Sequence, residues 1–304
     1  MELVLLLIIP LLTALFVMLV RGGKAVQTAS VLGAVLQLAA TLYLTVAYSR
    51  ETGSREGAML FQREWTFFPS LNISFHIGVD GISVAMILLT ALVVLAGVLV
   101  SGVQRPLNKE YYVLLNLLAV SAYGFFLSLD AFVMFLFLEL AVLPKYLLIV
   151  LWGSGKKEYS ANKLVLMLMA ASAMIWIGLL GIYYGLNGTE RTFDLVRLST
   201  INLSPETQRF FFPFLFLGFG VFTAIFPFHT WVPDGHSSAP TAGSMFLVGI
   251  SMKLGGYGCL RVATWLMPEG ARLFSPAIIM LATIAILYGA FARSEEHTSE
   301  LQSH

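Results

Sequence analysis

The chain has 304 residues, of which 58% are hydrophobic and only 12% charged, with a net charge of +1. Soluble domains carry about 25% charged residues, so the composition points to an integral membrane protein, and the near-neutral balance argues against a nucleic-acid or strongly acidic partner. A single cysteine, Cys259, excludes an internal disulfide and a cysteine-built metal site.

A membrane-spanning helix needs ~20 predominantly apolar residues. By that measure the sequence predicts eight complete spans and the start of a ninth, at 2–20, 25–48, 79–100, 111–129, 131–151, 161–186, 210–229, 241–266 and 275–292. The first span lacks a basic leading region and a small-residue cleavage site, so it reads as a retained helix. Arg21 and Lys24 follow it at once, and the other loops after odd-numbered spans are short and basic (Arg105, Lys109, Lys156, Lys157, Lys163). Loops after even-numbered spans hold a similar number of Lys and Arg but are longer and richer in acids, so charge density puts the odd loops in the cytoplasm and the N-terminus outside. Residues 49–77 form the one sizeable extramembrane piece, and their Trp65, Phe67, Phe68 and alternating Asn72-Ile-Ser-Phe-His-Ile predict a short hairpin on the membrane face.

Spans one to three carry no mid-depth charge and read as scaffold. Span five holds Glu139 and span eight holds Lys253, each far from either end of its apolar run. A charge at the bilayer centre costs at least ~2.5–3.5 kcal/mol on insertion scales, so such groups usually have a partner or a use. Pro144 and Pro227 each remove a helical hydrogen bond at depth. With Gly218 and Gly220, Pro227 predicts a break in span seven, and interrupted helices at mid-depth mark transport sites. Asp80 is expected to cap the third span, and Arg261 to anchor at the span end by reaching the headgroups. No metal, nucleotide or nucleophile signature is present, so no cofactor and no redox site is expected on this chain.

The block Phe226-Pro-Phe-His-Thr-Trp-Val-Pro-Asp-Gly-His-Ser-Ser-Ala-Pro-Thr-Ala-Gly-Ser, followed by Met252-Lys-Leu-Gly-Gly-Tyr-Gly, closely resembles the antiporter-like membrane subunits of proton-pumping NADH:quinone oxidoreductase, respiratory complex I. Gly78-Val-Asp-Gly-Ile-Ser, Leu138-Glu-Leu-Ala-Val-Leu-Pro and Trp152-Gly-Ser-Gly fit the same family, and the resemblance is nearest to the chain M type. It implies an all-α polytopic bundle with a broken span-seven helix, assembled with other membrane-arm subunits in the bacterial cytoplasmic membrane, that moves protons along a water path. On matching positions it implies that Glu139 tunes a buried lysine, that Lys253 is the central proton-carrying lysine, and that His229 and His236 stand near the path. A buried lysine releases its proton more readily and a nearby carboxylate holds it, so moving that carboxylate loads and unloads a proton.

One departure stands out. The family usually has a lysine a few residues before the Phe-Pro-Phe-His run, and counting back without a gap puts Phe222 there. Lys145, just after Pro144, is an additional lysine that the resemblance does not lead one to expect. Six residues separate it from Glu139, a rise of ~9 Å, so the two are not a same-face helical pair, yet Lys145 can reach a neighbour across the proline break. Either Lys145 takes over from the missing lysine or coupling is altered. The rival readings are a subunit of an Mrp-type cation/proton antiporter and a non-conducting structural scaffold whose Phe222 marks lost conduction. The expected divisions are 1–110 (scaffold helices with the hairpin), 111–267 (first half-channel), 268–292 (start of span nine) and 293–304. From Arg293 the composition turns abruptly polar, and that string resembles a translated sequencing adapter, so it is expected to be an artefactual tail that ends the ninth span early.

Overall fold

Backbone groups have no water to bond in a bilayer, so apolar chains cross it as helices packed side by side, the arrangement found in the computed structural model of this chain. It describes residues 3–52, 59–102, 107–186 and 191–301, with side chains as far as Phe291. Arg105 and the last three residues of the polar tail lie outside the described residues.

The first layer is α1 (Leu5–Leu19), α2 (Gly23–Thr52) and α3 (Gly81–Val100), packed on one another and on α4 (Asn108–Leu127). Helix α4 is the axis of the bundle, and every residue from Leu118 to Leu127 is buried. Polar groups in the scaffold close on the backbone: Gln37 of α2 donates to the Leu6 carbonyl at 3.0 Å. Helix α3 starts as expected. Asp80 accepts from the Ser83 N–H at 2.9 Å while the Ser83 hydroxyl accepts from the Asp80 N–H at 2.7 Å, a reciprocal cap. Asp80 also pairs with the Arg261 guanidinium, which is stacked 4.9 Å from the Trp265 ring and 5.4 Å from Tyr257. The headgroup anchor expected of Arg261 is therefore corrected: its side chain is buried in the bundle, because the Asp80 carboxylate at the start of α3 gives it a charged partner there.

Residues 60–79 form the expected hairpin. Strands β1 (Leu60–Phe68) and β2 (Ile73–Val79) pair antiparallel, turning through Pro69–Leu71 and Asn72, whose backbone is left-handed (φ 53°). The buried strand β2 covers the junction of α4 with the following helix, where the Leu129 N–H donates to the His76 carbonyl at 2.8 Å. Short helix α8 (Leu195–Thr200), capped by Asp194, sits beside it, and the His76 ring bonds the Asp194 carboxylate at 2.5 Å.

The second layer is α5 (Ala131–Leu140), α6 (Val142–Trp152), α7 (Lys157–Gly185), α9 (Pro205–Phe222) and α10 (Trp231–Ser238), followed by α11 (Thr241–Phe246), a π-helical turn at Leu247–Ser251, α12 (Met252–Gly258), a second π turn at Cys259–Thr264 and α13 (Pro268–Leu301). Among the described residues six segments are long and apolar enough to cross a membrane, α5 and α6 together making one. The other three expected spans differ in kind: the first is a 15-residue helix, and the seventh and eighth are interrupted. The α13 backbone runs on to Leu301 instead of stopping near Ala292. The Arg293-Ser-Glu-Glu stretch changes polarity but holds no Gly or Pro, and polarity alone does not stop a helix.

Candidate ion-translocation site

Two helix breaks build the site. In the expected fifth span, Pro144 has no N–H to offer the Leu140 carbonyl, and the helix parts at Ala141 into α5 and α6. Glu139 is the last residue but one of α5, and Lys145 stands in the first turn of α6. In the expected seventh span, α9 ends at Phe222 and the chain turns through Ala224 with φ 64°. Part of the freed backbone is satisfied locally: the Trp231 indole N–H donates to the Val221 carbonyl at 3.0 Å. Helix α12 closes on this break because Gly255 has no side chain. A Cβ there would lie 2.5 Å from the Phe219 carbonyl oxygen and 2.7 Å from the Thr223 nitrogen.

The breaks face each other. Lys145 is 2% exposed, its Nζ lies 5.7 Å from the centroid of the buried Phe222 ring, and that ammonium has no hydrogen-bond partner among the described residues. Glu139 and Lys145 attract each other electrostatically across the hinge. Glu139 accepts a hydrogen bond from the Ser172 hydroxyl of α7. The carboxylate is half-buried and lines a groove of about 580 Å³ that runs along α6 and α7 past Val142, Tyr146, Asn162 and Val165.

Lys253 is placed differently from Glu139 and Lys145. It is two residues from Gly255, about 200° around the helix, so it points away from the α9 break. Its Nζ donates to the Val248 carbonyl of the first π turn at 2.6 Å and lines a groove with Ile82, Met86 and Tyr257. The lysine expected in the bilayer interior is thus half-buried on the described chain, and it satisfies itself on a carbonyl of the π-helical turn just before it. His229, in the turn after α9, lies 5.6 Å from the Phe226 ring and 5.1 Å from Tyr288, with a buried Nδ1 that has no hydrogen-bond partner among the described residues. His236 on α10 bonds the Ser244 hydroxyl through Nδ1 at 2.8 Å, and its buried Nε2 has no hydrogen-bond partner among the described residues. Near the N-terminal end of α7, Lys163 donates to Asp234 at 2.7 Å, and Ser160 and Ser238 share a buried hydrogen bond beside a polar cleft that also holds Lys156 and Tyr159. Among the described residues no group of His, Cys, Asp and Glu is arranged to hold a metal.

Sequence reasoning missed Ser172 and Asp234. Ser172 sits in the run Ala170-Ala-Ser-Ala, which reads as small-residue helix packing, and Asp234 reads as a loop acid.

The family model described as NADH:quinone oxidoreductase/Mrp antiporter, TM, matches residues 128–296, more than half of the chain, and includes both breaks. The chain belongs to this family. It is 32% identical over 286 residues to an NAD(P)H-quinone oxidoreductase chain 4-2 of Synechocystis sp., covering 93% of this chain and 50% of that protein. It is 31% identical over 290 residues to NADH-quinone oxidoreductase subunit M of Rickettsia prowazekii, covering 93% and 57%. A chain of respiratory complex I from Thermus thermophilus superposes with a TM-score of 0.83 at 26% identity, covering 96% of this chain and 59% of that one. The chain therefore spans roughly half the length of the curated relatives it matches. It is a multi-pass member of an antiporter-like membrane family, and its two helix breaks fall inside the matched region.

Proposed function

We propose that this chain forms the first half-channel of a proton-translocating subunit of NADH:quinone oxidoreductase, in which Lys145 on α6 serves in place of the lysine usual on the broken seventh span. The observation that carries this reading is the Lys145 ammonium over the ring of Phe222, the residue that fills the usual lysine's position. The lysine has moved to the facing helix while its charged end stays at the break. An ammonium buried there without hydrogen bonds is costly. Attraction to Glu139 and a desolvated cation–π contact, worth about 2 kcal/mol, offset part of that cost.

Glu139 and Lys145 act as a coupled pair. With Glu139 ionised the pair is neutral and Lys145 keeps its proton; with Glu139 protonated the buried ammonium stands alone and gives its proton up. His229 in the turn after α9 and His236 on α10, each with a buried ring nitrogen that has no hydrogen-bond partner among the described residues, relay protons towards the pair. Lys253 faces the other side of α12 and takes the proton onward. The chain carries no redox centre; electron transfer belongs to other subunits, and other membrane-arm subunits are its partners. The short basic loops put the odd-numbered loops in the cytoplasm and the N-terminus outside the bacterial cytoplasmic membrane.

Proton translocation by the assembled complex carrying Lys145→Ala tests the assignment. Loss of translocation is expected, and wild-type pumping rejects it.

A further inference from the structure

Ser172 lies on α7 directly across from the α5–α6 hinge, 7% exposed, in a helix otherwise lined with Ala170, Ala171 and Ala173. Its hydroxyl has one proton and two acceptors within reach: an oxygen of Glu139, and the Leu168 carbonyl one turn back at 2.9 Å. Bonding to the carbonyl four residues back is the ordinary resting place of a serine within a helix. Here the same hydroxyl serves a carboxylate on a different helix with no movement of any heavy atom.

We infer that Ser172 is the positioning residue of the Glu139 carboxylate, a hydroxyl rotor that holds one carboxyl oxygen in both charge states. The inference rests on the reading of Glu139 and Lys145 as the proton-handling pair. With Glu139 ionised, the Ser172 O–H donates to Oε1 and fixes the plane of the carboxylate between Lys145 and the groove along α6 and α7. When a proton arrives on Oε1, the new carboxyl O–H donates to the Ser172 oxygen, and the serine proton swings to the Leu168 carbonyl. The arriving proton stays on Glu139 and the serine proton stays on its own oxygen. The Ser172 hydroxyl and the Glu139 oxygen that faces it are bonded to each other before and after, as buried polar groups require. Glu139 can then change charge without leaving the hinge, and the lysine across the hinge senses the change.

Three variants in the complete, membrane-bound complex test this: Glu139→Gln, Ser172→Ala and Ser172→Thr. Each is assayed for protons translocated per NADH oxidised and for the carboxyl stretching band in infrared difference spectra. Glu139→Gln is expected to remove the band and the translocation that runs through this subunit. Ser172→Ala should cut translocation about tenfold, the worth of one hydrogen bond to a charged group, and move the carboxyl band to higher frequency. Ser172→Thr, which keeps the hydroxyl, should restore rate and band position. If Ser172→Ala pumps normally with an unmoved band while Glu139→Gln is inactive, the role of Ser172 is overturned and the proton pair stands. If Glu139→Gln itself pumps normally, the underlying pair is wrong and the Ser172 inference falls with it.

Discussion

Exchanging the two facing residues, Lys145→Met with Phe222→Lys, returns the lysine to α9 and leaves an apolar side chain on α6. The lysine and Glu139 are six residues apart, a backbone rise of ~9 Å. For charges ~9 Å apart and an effective dielectric of ~20, such an attraction is about 2 kcal/mol. Lys145→Met alone removes this, a factor of about thirty in any equilibrium that depends on both groups being charged. The single variant is therefore expected to lose most of its pumping and some stability, because Glu139 is left without its charged partner, so pumping is scored per assembled complex. Phe222→Lys alone places two ammonium groups at one break and should impair assembly. The double variant has one lysine again, on the other wall of the same contact, and should recover much of the loss. Inverted membrane vesicles, with NADH oxidation and dye-reported acidification followed together, separate coupling from electron transfer. A double variant as inactive as Lys145→Met, or a single variant that pumps normally, would refute the reasoning.

Arg261→Leu strands the Asp80 carboxylate at the start of α3, and breaking such a low-exposure pair costs ~3–5 kcal/mol; a clear fall in the melting temperature of the detergent-solubilised complex is expected, and an unchanged one contradicts the pairing. Gly255→Ala drives a methyl group into the α9 backbone and should destabilise by ~1–3 kcal/mol, seen as reduced assembled complex on native gels. Beside β2 and α8, burial pushes the Asp130 carboxyl up to about 6, despite N–H donors from Val133, Ser74 and Phe132, with nearby Asp194 raising it further. Burial alone would also raise Asp194, but the His76 and Arg197 hydrogen bonds hold it below the usual carboxylate range. The Asp130 contribution to stability is thus present below about pH 4 and lost as pH rises through about 6. The Asp194 contribution is present above about pH 4 and lost as pH falls through its depressed value. Exchange protection of β2, corrected for intrinsic rates, should therefore be greatest near pH 4 and fall towards pH 7, and Asp130→Asn should flatten that fall; protection that rises steadily to pH 7 contradicts the assignment.

Much of this architecture was legible because membrane folding writes itself in composition. Runs of apolar residues gave the helices, Asp80 and Ser83 marked the start of α3, and Trp65 to Phe68 with the alternation after Asn72 marked the hairpin. Pro144 showed where the fifth span was unsound, and Pro227 with its neighbouring glycines showed the same for the seventh. Charge deep in an apolar run picked out Glu139 and Lys253, the family resemblance implied their roles, and the lysine missing at Phe222 drew attention to Lys145.

What stayed hidden depends on rotation about helix axes and on contacts distant in sequence. Lys253 and Gly255 differ by two positions, and only the packing of Gly255 on Phe219 reveals that Lys253 faces away from the break. Arg261 reads as an interfacial anchor until Asp80, 181 residues earlier, is seen beside it. Ser172 carries no signal in a run of alanines, and its partner is 33 residues away on another helix. The π turns before and after α12 leave no trace in residue type, because glycines and small residues there also fit an unbroken span.

The measurement closest to the central claim is the proton-to-electron ratio of the complete complex carrying Glu139→Gln, taken with NADH oxidation in the same vesicles. The account predicts that electrons still flow while translocation through this subunit stops, so the ratio drops. A ratio equal to that of the unmodified complex would contradict it and leave the chain as a membrane scaffold.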